Sequence, residues 1–452
     1  MSDLAGRRVV VVGLAASGAA AARVLRSNGA RVRITETRPR EEVAAWADQA
    51  EAAGAEVLAG GHQPEHLEGA DLVVTSPGVP ERANVLTWAR QRNIPLWSEL
   101  ELGARLAGCP YVGVTGTNGK TTTTEMIAAA MRDGGMDAIA CGNVGYPFSL
   151  AATEGHDALA VEASSFQLRF QESFHPRVSV LLNLAPDHLD WHGSFDAYRD
   201  AKRQIFARQR GDDVHVGNRG DAHAAEVSRT APCTVTWFSL GVPGPGEVGM
   251  VGGEVVSRVG DQASLGIPAS TSASHVADAA AAAAAGLAFG LDPAAVRQAL
   301  VESTPLPHRG TVVAEIDGVR YVDDSKATNP HAALGALAGL DDVVLIAGGR
   351  SKGIDLSPLA AAIPGLAGAV VIGEAADELE ALFSGRVPVR RAGSMEEAVA
   401  EARRLATAGG TVLLAPACAS QDMFRDYRDR GERFAAAARA LEPTGATGAT
   451  RG

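Results

Sequence analysis

Residues 113–124 read GVTGTNGKTTTT and form the most informative stretch of this chain. They follow the apolar residues Tyr111 and Val112 and precede the helix-prone segment EMIAAAM, so they predict a strand, a glycine-rich turn and a helix start. Backbone N–H groups and a helix N-terminus in such a turn bind phosphate. Lys120 adds a positive charge, and the hydroxyl of Thr121 can bind a magnesium ion held by the phosphates. The stretch therefore predicts a nucleoside triphosphate site.

The spacing of this turn differs from that of the common P-loop. Val114 stands where the common motif has its first glycine, and Gly116 is an additional glycine. A plain tight turn is the alternative, but packing alone does not explain a lysine, a threonine and two glycines after a strand. We expect ATP to contact Gly116, Thr117, Asn118, Gly119, Lys120, Thr121 and Thr122.

Composition bounds the class of protein. A chain of 452 residues has room for about three domains, and its hydrophobic content of 46% is ordinary for globular cores. The net charge of −12 argues against nucleic acid and anionic membranes as partners. The four cysteines lack metal-ligand spacing and indicate a reducing compartment. Neither a signal peptide nor a membrane span is recognised, so we expect a cytoplasmic protein without membrane insertion.

Apolar strands alternate with helical segments in three blocks, which predicts parallel sheets. The expected fold class is α/β with three domains: a Rossmann-like N-terminal domain, a central domain of the P-loop ATPase type and a Rossmann-like C-terminal domain. The predicted ranges are 1–104, 105–302 and 303–442, followed by a disordered, low-complexity tail at 443–452. Residues 208–272 give no functional prediction.

The first block matches part of a dinucleotide-binding fingerprint. Gly13 and Gly18 fit its first and third glycines, but Ala15 replaces the middle glycine that allows close approach of a pyrophosphate. Glu36 ends the second strand, where an acidic residue can bond a ribose. Residues 37–38 follow and can bond a uracil edge or a phosphate. A βα unit without a ligand is the alternative.

Polar residues follow the strands of the second block, at the edge where open α/β sheets bind ligands. Glu162 ends one strand and can hold magnesium together with Thr121, because hard cations prefer oxygen ligands. His188 ends the next strand. A lone histidine is more often structural, but this position favours a functional role. Lys202 lies on a predicted helix, where a lone lysine is ordinarily a solvated charge.

The third block supplies four polar turns after strands or at the domain join. They are PHRG at 307–310, DDSKATNP at 323–330, GGRSKG at 348–353 and PACASQDMFRDYRDRG at 416–431. Each alone can be a solvated turn. Four such turns in one domain favour a site facing a cleft.

Seven stretches, in this order, closely resemble the Mur ligases of peptidoglycan synthesis: GTNGKTTT, EASSFQL, NLAPDHLD, YRDAK, PHRG, DDSKATNP and PACASQDMF. The match covers nearly the whole chain. VVVVGLAASG with TETR, SPG at 76–78, and SKATNP with PACAS are similar to the members that add D-glutamate to UDP-N-acetylmuramoyl-L-alanine. The Asp-Asn-Pro-Arg motif of the diaminopimelate-adding members does not occur in the third block.

The resemblance implies an ATP-dependent amide ligase. ATP phosphorylates the carboxylate of the L-alanyl group, the amine of D-glutamate attacks the acyl phosphate, and phosphate leaves from a tetrahedral intermediate. Phosphoryl transfer needs positioning and charge neutralisation more than covalent help. The implied cofactors are ATP, two Mg²⁺ ions and a carbamylated Lys202, in which a cation becomes an oxygen donor. The implied partners are the UDP-sugar and D-glutamate, and we expect a monomer.

The family's functional positions carry over residue by residue. The resemblance implies catalytic roles for Lys120, Asn143, Glu162, His188, Lys202 and Lys326, and metal binding by Thr121, Glu162, His188 and Lys202. Arg309 and Asp324 match residues that close on ATP. The UDP-substrate pocket corresponds to Leu14, Thr37, Arg38, Ser76 and Gly78. The D-glutamate site corresponds to Thr328, Lys352, Ser420 and Tyr427.

Two departures from the family pattern affect these roles. The family's His-Asn-x-x-Asn run is SHVADA here, so His275 is kept while Val276 and Asp278 replace the asparagines near adenine. Asp278 can still accept from the adenine amine, or it can be an early-turn residue that favours the helix dipole. Arg350 stands where many relatives carry an acidic residue, which weakens the inference at the amino-acid site.

Other functions stay open at this point. A ligase for a different amino acid and a folylpolyglutamate synthetase both share GTNGKT, although the complete first block argues against the folate enzyme. A dehydrogenase would need the middle glycine that Ala15 replaces. A P-loop switch protein would not need the strand-end residues of the third block.

Overall fold

Three β-sheets organise the computed structural model, which describes residues 4–270 and 272–441. The α/β class with three domains is confirmed. The three predicted domain ranges stay a prediction, and the tail predicted at 443–452 lies outside the described residues. Within the described part of the chain, no helix is long and apolar enough to cross a membrane.

The first sheet is parallel, with strand order β3-β2-β1-β4-β5. Its strands are β1 (Arg8–Val12), β2 (Arg31–Thr35), β3 (Glu56–Leu58), β4 (Leu72–Thr75) and β5 (Leu96–Ser98). Its helices are α1 (Ala16–Ser27), α2 (Ala44–Ala52), α3 (Asn84–Gln91) and α4 (Glu99–Leu106), with 3₁₀ turns at Arg40–Val43 and Pro64–Leu67. Gly18 of α1 packs so closely on the Gly13 carbonyl that a Cβ there would overlap it, which explains the third glycine of the fingerprint.

The second sheet has the order β14-β13-β12-β11-β10-β9-β6-β8-β7 and is parallel except at its β12–β14 edge. Its strands are β6 (Tyr111–Thr115), β7 (Ala138–Gly142), β8 (Ala158–Glu162), β9 (Val178–Leu181), β10 (Val214–Asn218), β11 (Thr234–Phe238), β12 (Glu247–Val251), β13 (Glu254–Ser257) and β14 (Ala263–Ser264). The accompanying helices are α5 (Lys120–Asp133), α6 (Phe148–Ala151), α7 (Ser165–Leu168), α8 (Leu189–His192), α9 (Phe195–Arg203), α10 (Ala222–Ser228), α11 (Ala273–Phe289) and α12 (Pro293–Glu302), with a 3₁₀ turn at Gln204–Phe206. The segment 208–272, which carried no sequence prediction, therefore widens this sheet.

The third sheet has the order β15-β16-β20-β17-β18-β19, in which the β15–β16 pair is antiparallel. Its strands are β15 (Thr311–Ile316), β16 (Val319–Asp323), β17 (Val343–Gly348), β18 (Leu366–Ile372), β19 (Val389–Arg391) and β20 (Thr411–Leu414). Its helices are α13 (Pro330–Leu337), α14 (Ala376–Phe383), α15 (Met395–Leu405) and α16 (Tyr427–Arg439), with a 3₁₀ segment at Ser357–Gly365.

Each sheet is buried on both faces. In β1, Val9 and Val11 join one hydrophobic cluster while Val10 and Val12 join another, because successive side chains of a strand point to opposite faces. The uninterrupted apolar run of β17 divides in the same way. Such doubly covered parallel sheets leave the polar residues at the strand ends, where ligands bind.

The chain forms two compact units. The first unit comprises residues up to Leu184, Trp191–Pro268 and Ala277–Ser303, and it holds the first and second sheets. The second unit comprises Ala185–Asp190, Ala269–Val276 and the chain from Thr304 onward, and it holds the third sheet.

Candidate active site

The phosphate loop connects β6 to α5 as the sequence predicts. Residues 116–119 form the turn, and Gly119 precedes the helix with φ of 86°. A Cβ at Gly119 would overlap the carboxylate of Asp278, which lies against the loop. Only glycine satisfies both this backbone conformation and this contact. Asp278 thus lies beside the loop backbone, and its predicted contact with adenine stays untested.

Asn183, two residues after β9, holds the loop in place. Its carbonyl accepts from the Thr117 N–H at 3.0 Å, and its side-chain Oδ1 accepts from the Asn118 N–H at 2.8 Å. Its Nδ2 donates to the Asn118 carbonyl at 3.2 Å. One side chain thus fixes two peptide units of the loop.

Two lysines converge on the loop carbonyls. Lys120 Nζ donates to the carbonyls of Gly116 and Thr117, both at 3.0 Å. Lys202 Nζ donates to the Gly116 carbonyl at 2.7 Å and lies 4.7 Å from the centre of the Tyr198 ring. Lys202 is only 2% exposed, so it is not the solvated helix charge that its surroundings in the sequence suggest.

Tyr198 joins helix α9 to the same loop. Its hydroxyl donates to Thr117 Oγ1 at 3.0 Å, and its ring is buried. The helix therefore delivers Tyr198 and Lys202 together, because residues four apart share one helix face. Of the remaining predicted ATP contacts, Thr121 is partly buried and Thr122 is buried in the first turn of α5.

Glu162 carries an unsatisfied buried oxygen. Its Oε1 accepts from Asn143 Nδ2 at 2.9 Å, while its Oε2 is buried without a hydrogen-bond partner. Asn143 is also held through its backbone N–H, which donates to the Glu162 carbonyl at 2.9 Å. A carboxylate oxygen without a partner in a buried place is costly unless a ligand completes it.

A cavity of about 810 Å³ opens at the strand ends of the first sheet. All five residues predicted for the UDP-substrate line it, and Asn143 lies on its wall. These five are Leu14, Thr37, Arg38, Ser76 and Gly78. The five residues therefore lie together around one cavity, and their role as a UDP-substrate pocket stays a prediction.

Glu36 is occupied by internal donors and is not available to a ribose. Its carboxylate accepts from the backbone N–H of Leu14 at 2.6 Å, from Thr37 Oγ1 at 3.1 Å and from three N–H groups of Arg38 at 2.9–3.1 Å. Burial alone would raise its pKa, but the bonds from Arg38 and Leu14 lower the pKa to about 2. Arg38 also donates to the Leu14 carbonyl at 2.7 Å, so the two side chains fix the cavity rim.

In the second unit, Asp187 gathers three donors. Its Oδ1 accepts from Lys352 Nζ and from the His188 backbone N–H, both at 2.8 Å, and its Oδ2 accepts from Asn329 Nδ2 at 3.1 Å. Burial opposes ionisation, but His188 and Lys352 lower the pKa of Asp187 on balance. Lys352, predicted to bind a D-glutamate carboxylate, is therefore paired with a protein carboxylate in this structure. His188 adopts a left-handed φ of 53°.

The DDSKATNP turn places Asp324 and Lys326 directly after β16. Burial raises the pKa of Asp324 to about 7, with Asp323 adding to the shift and Arg309 opposing it. Lys326 Nζ lies 4.0 Å from the centre of the Tyr427 ring, and the Thr328 N–H donates to the Lys326 carbonyl at 2.8 Å.

Arg430 ties three turns of the second unit together. The guanidinium is fully buried and donates to the Ser325 carbonyl at 2.8 Å, to Ser325 Oγ at 3.0 Å and to the Cys418 carbonyl at 3.0 Å. A longer bond of 3.5 Å reaches the Gly348 carbonyl. Burial lowers its pKa to about 10.

Three further residues that the sequence singled out, Ser420, Arg350 and His275, lie in the second unit. Ser420 is buried, and Arg350 is exposed while its backbone pairs with Ala419 in an antiparallel bridge. His275 lies in the first turn of α11, and its Nε2 is buried without a hydrogen-bond partner.

The three blocks match three family profiles. The profile of the MurD-like N-terminal domain covers residues 7–98, that of the Mur ligase middle domain covers 114–243, and that of the Mur ligase glutamate ligase domain covers 308–418. A protein of Frankia casuarinae named UDP-N-acetylmuramoylalanine--D-glutamate ligase is 46% identical over 97% of this chain and 95% of its own length. The chain belongs to the Mur ligase family. A protein of the same name from Streptomyces coelicolor is 42% identical over 97% of the chain and 99% of its own length.

Solved structures share the fold of this Mur ligase. The pseudomurein peptide ligase type C of Methanothermus fervidus superposes with a TM-score of 0.62 at 18% identity, covering 95% of this chain and 99% of that protein. The MurF ligase of Thermotoga maritima in complex with ADP gives 0.61 at 18% identity, covering 97% of this chain and 98% of that protein.

Magnesium has oxygen donors available in this Mur ligase. Within residues 4–270 and 272–441, no three His, Cys, Asp or Glu side chains are grouped as a metal site. The predicted ligand set holds only two residues of these types, Glu162 and His188, beside the hydroxyl of Thr121 and a carbamylated Lys202. The buried Glu162 Oε2 without a partner fits a hard cation, which takes carboxylate oxygens.

Sequence reasoning missed Asn183 and Arg430 in this Mur ligase. The asparagine of NLAPDHLD follows an apolar strand, which is the same signal that identified Glu162. Arg430 lies in a stretch with four arginines, RDYRDRGER at 425–433, and nothing in that local pattern distinguishes the buried one.

Proposed function

We propose that this protein is an ATP-dependent ligase that adds D-glutamate to UDP-N-acetylmuramoyl-L-alanine in peptidoglycan precursor synthesis. The observation that carries the proposal is the alignment, over 97% of the chain at 46% identity, with a protein named for that reaction. An alignment of this extent includes the substrate cavity of the first sheet, the phosphate loop and the third sheet. The proposed domain roles are UDP-substrate binding at 1–104, ATP binding at 105–302 and amino-acid binding at 303–442.

The first unit is proposed to carry the phosphoryl-transfer step. The UDP moiety binds in the first-sheet cavity, and Asn143 on its wall orients the L-alanyl carboxylate while bonded to Glu162. The phosphate loop positions ATP, and Lys120 turns from the loop carbonyls to the phosphates, where it stabilises the charge that develops. The carboxylate oxygen takes the γ-phosphoryl group, so the products of this step are the acyl phosphate and ADP.

The second unit is proposed to hold the amino acid and close the reaction. Thr328, Lys352, Ser420 and Tyr427 bind D-glutamate, and Lys352 exchanges Asp187 for the substrate carboxylate. Arg309, Asp324 and Lys326 act on ATP and the migrating phosphoryl group. The amine of D-glutamate attacks the acyl carbon, and inorganic phosphate leaves as the amide forms.

Bound magnesium ions, of which two are proposed, would supply neutralisation of the phosphate charge. Thr121 and Glu162 would hold one ion, and His188 with carbamylated Lys202 would hold the other. Carbamylation suits Lys202, because R–NH–COO⁻ supplies oxygen ligands yet keeps one N–H for the Gly116 carbonyl. The protein is proposed to work as a monomer in the cytoplasm.

Substrate omission tests the proposal. ADP release by the purified chain should require both UDP-N-acetylmuramoyl-L-alanine and D-glutamate, and the product should gain one glutamyl residue by mass. Turnover with L-glutamate and a folate would instead indicate a folylpolyglutamate synthetase. Turnover with another amino acid would change the specificity, and ATP hydrolysis that needs neither substrate would refute the ligase assignment.

A further inference from the structure

His62 lines the first-sheet cavity, although no role above uses it. The turn before it is bonded to the residues that follow β2: the Gly60 N–H donates to the Arg38 carbonyl at 2.9 Å, and the Gly61 N–H donates to the Glu36 carbonyl at 3.0 Å. The imidazole is half-buried and its Nδ1 lies 2.9 Å from Thr35 Oγ1. The backbone and one ring nitrogen therefore hold His62 against the cavity.

A chain of hydrogen bonds fixes the tautomer of His62. Thr35 Oγ1 also lies 2.8 Å from Nδ1 of His66, and that same Nδ1 receives the backbone N–H of Gln63 at 3.4 Å. A backbone N–H only donates, so His66 Nδ1 is an acceptor. The Thr35 hydroxyl has one proton, which it donates to His66 Nδ1. His62 Nδ1 must then donate to Thr35 Oγ1, and His62 Nε2 keeps its lone pair.

We propose that His62 Nε2 accepts a hydrogen bond from the nucleoside of the UDP-substrate and thereby helps to select it. The inference rests on the proposed function and adds a recognition residue to it. The donor is uracil N3–H or a ribose hydroxyl. With N3–H as the donor, the same acceptor would disfavour cytosine, which carries a lone pair at N3; with a ribose hydroxyl as the donor, the two bases would not be distinguished.

The acceptor role falls to His62 because its acidic neighbour is occupied. The Glu36 carboxylate offers about four lone-pair sites and already receives Leu14, Thr37 and Arg38. Burial lowers the pKa of His62, His66 adds to the shift, and Glu36 opposes it. The neutral ring thus persists at pH 7, with its lone pair intact.

Calorimetric titration of the full chain with UDP tests the proposal. His62→Phe keeps a ring of similar shape but removes the acceptor, so UDP should bind about tenfold more weakly, the effect of losing one buried hydrogen bond. ATP should bind with unchanged affinity. His156→Phe is the matched control, because His156 is also largely buried but pairs with Asp137 and does not line the cavity.

Two analogues identify the donor. N3-methyl-UDP lacks the uracil donor and 2′-deoxy-UDP lacks one ribose donor. Compared with UDP, the analogue without the recognised group should bind the wild type about tenfold more weakly, whereas His62→Phe should bind the two ligands equally well. Equal binding of UDP by wild type and His62→Phe would overturn the inference alone. Failure of the wild type to bind UDP would overturn the proposed function as well.

Nitrogen-15 spectra of labelled histidines give a second readout that needs no variant. The free protein should show an unprotonated Nε2 at His62, and this resonance should shift when UDP is added. A purely structural histidine would not respond to UDP. A protonated Nε2 at pH 7 would contradict the bond chain through Thr35 and the proposal built on it.

Discussion

Replacing Glu36 with glutamine removes the charge from the most heavily bonded carboxylate of the first sheet. The pKa of Glu36 falls from an ordinary 4.5 to about 2 on folding, which at about 1.4 kcal/mol per unit amounts to about 3 kcal/mol of stability at neutral pH. Arg38 is 44% exposed, so solvent screens part of this interaction. We expect Glu36→Gln to lower the unfolding free energy by about 2 kcal/mol at pH 7.

The sign of the pH dependence follows from the direction of the shift. A lowered folded pKa stabilises the protein above pH 4.5 and loses that contribution as pH falls towards 2. Wild type should therefore lose stability on acidification through this window, while Glu36→Gln should not lose this contribution. The two proteins should converge as the carboxyl group becomes protonated.

Tryptophan fluorescence in urea measures this difference without interference from the second unit. All five tryptophans, Trp46, Trp88, Trp97, Trp191 and Trp237, belong to the first unit. Glu51→Gln is the control, because Glu51 pairs with Arg40 on the surface and should change stability little. Equal unfolding free energies for wild type and Glu36→Gln at pH 7, or a difference that stays constant down to the lowest pH, would refute the reasoning.

Four further substitutions test the active-site assignments. Lys120→Ala should reduce ligase turnover on the order of 10²-fold with an unchanged circular dichroism spectrum, and near-normal turnover would remove Lys120 from phosphate binding. Lys202→Ala should be nearly inactive and partly restored by acetate, whereas a fully active Lys202→Arg would exclude the carbamate. Asp278→Asn should lower the KM for ATP, since it removes a negative charge beside the phosphate loop; an unchanged KM in steady-state assays would count against this. Arg430→Met should destabilise the second unit by about 3 kcal/mol or more in calorimetry, while the exposed Arg433→Met should not; equal transitions for the two variants would contradict the bonding of Arg430.

Local sequence patterns predict those elements whose characteristic residues lie close together in the chain. The phosphate loop follows from one strand, four turn residues and a helix start, all within residues 111–133. The short β12–β14 strands lie among glycines and prolines, so their pairing comes from the neighbouring β11 edge rather than from their own pattern. Sequence therefore located the strand ends but not the full width of the second sheet.

Contacts between side chains and residues distant in the sequence could not be predicted from the sequence. A lysine on a polar helix is usually solvated, and only the packing of α9 against the loop buries Lys202. Glu36 has the expected position for a ribose contact, but its carboxylate already accepts hydrogen bonds from Arg38 and from Leu14, which is 22 residues away in the sequence. The position of a side chain at a strand end is local information, whereas its bonding state depends on the assembled unit.

The buried guanidinium of Arg430 limits how the proposed amino-acid site of this protein can be redesigned. Residues from three turns, at 323–330, 348–353 and 416–431, bond to one side chain. If a single turn were replaced by that of a relative with another specificity, the carbonyl groups of the other two turns would be misaligned with the guanidinium or left without a donor. Exchanging the three turns together with the first part of α16 would keep the bonds of Arg430 intact. Both engineering and natural divergence of this site should therefore replace the three turns together rather than one loop at a time.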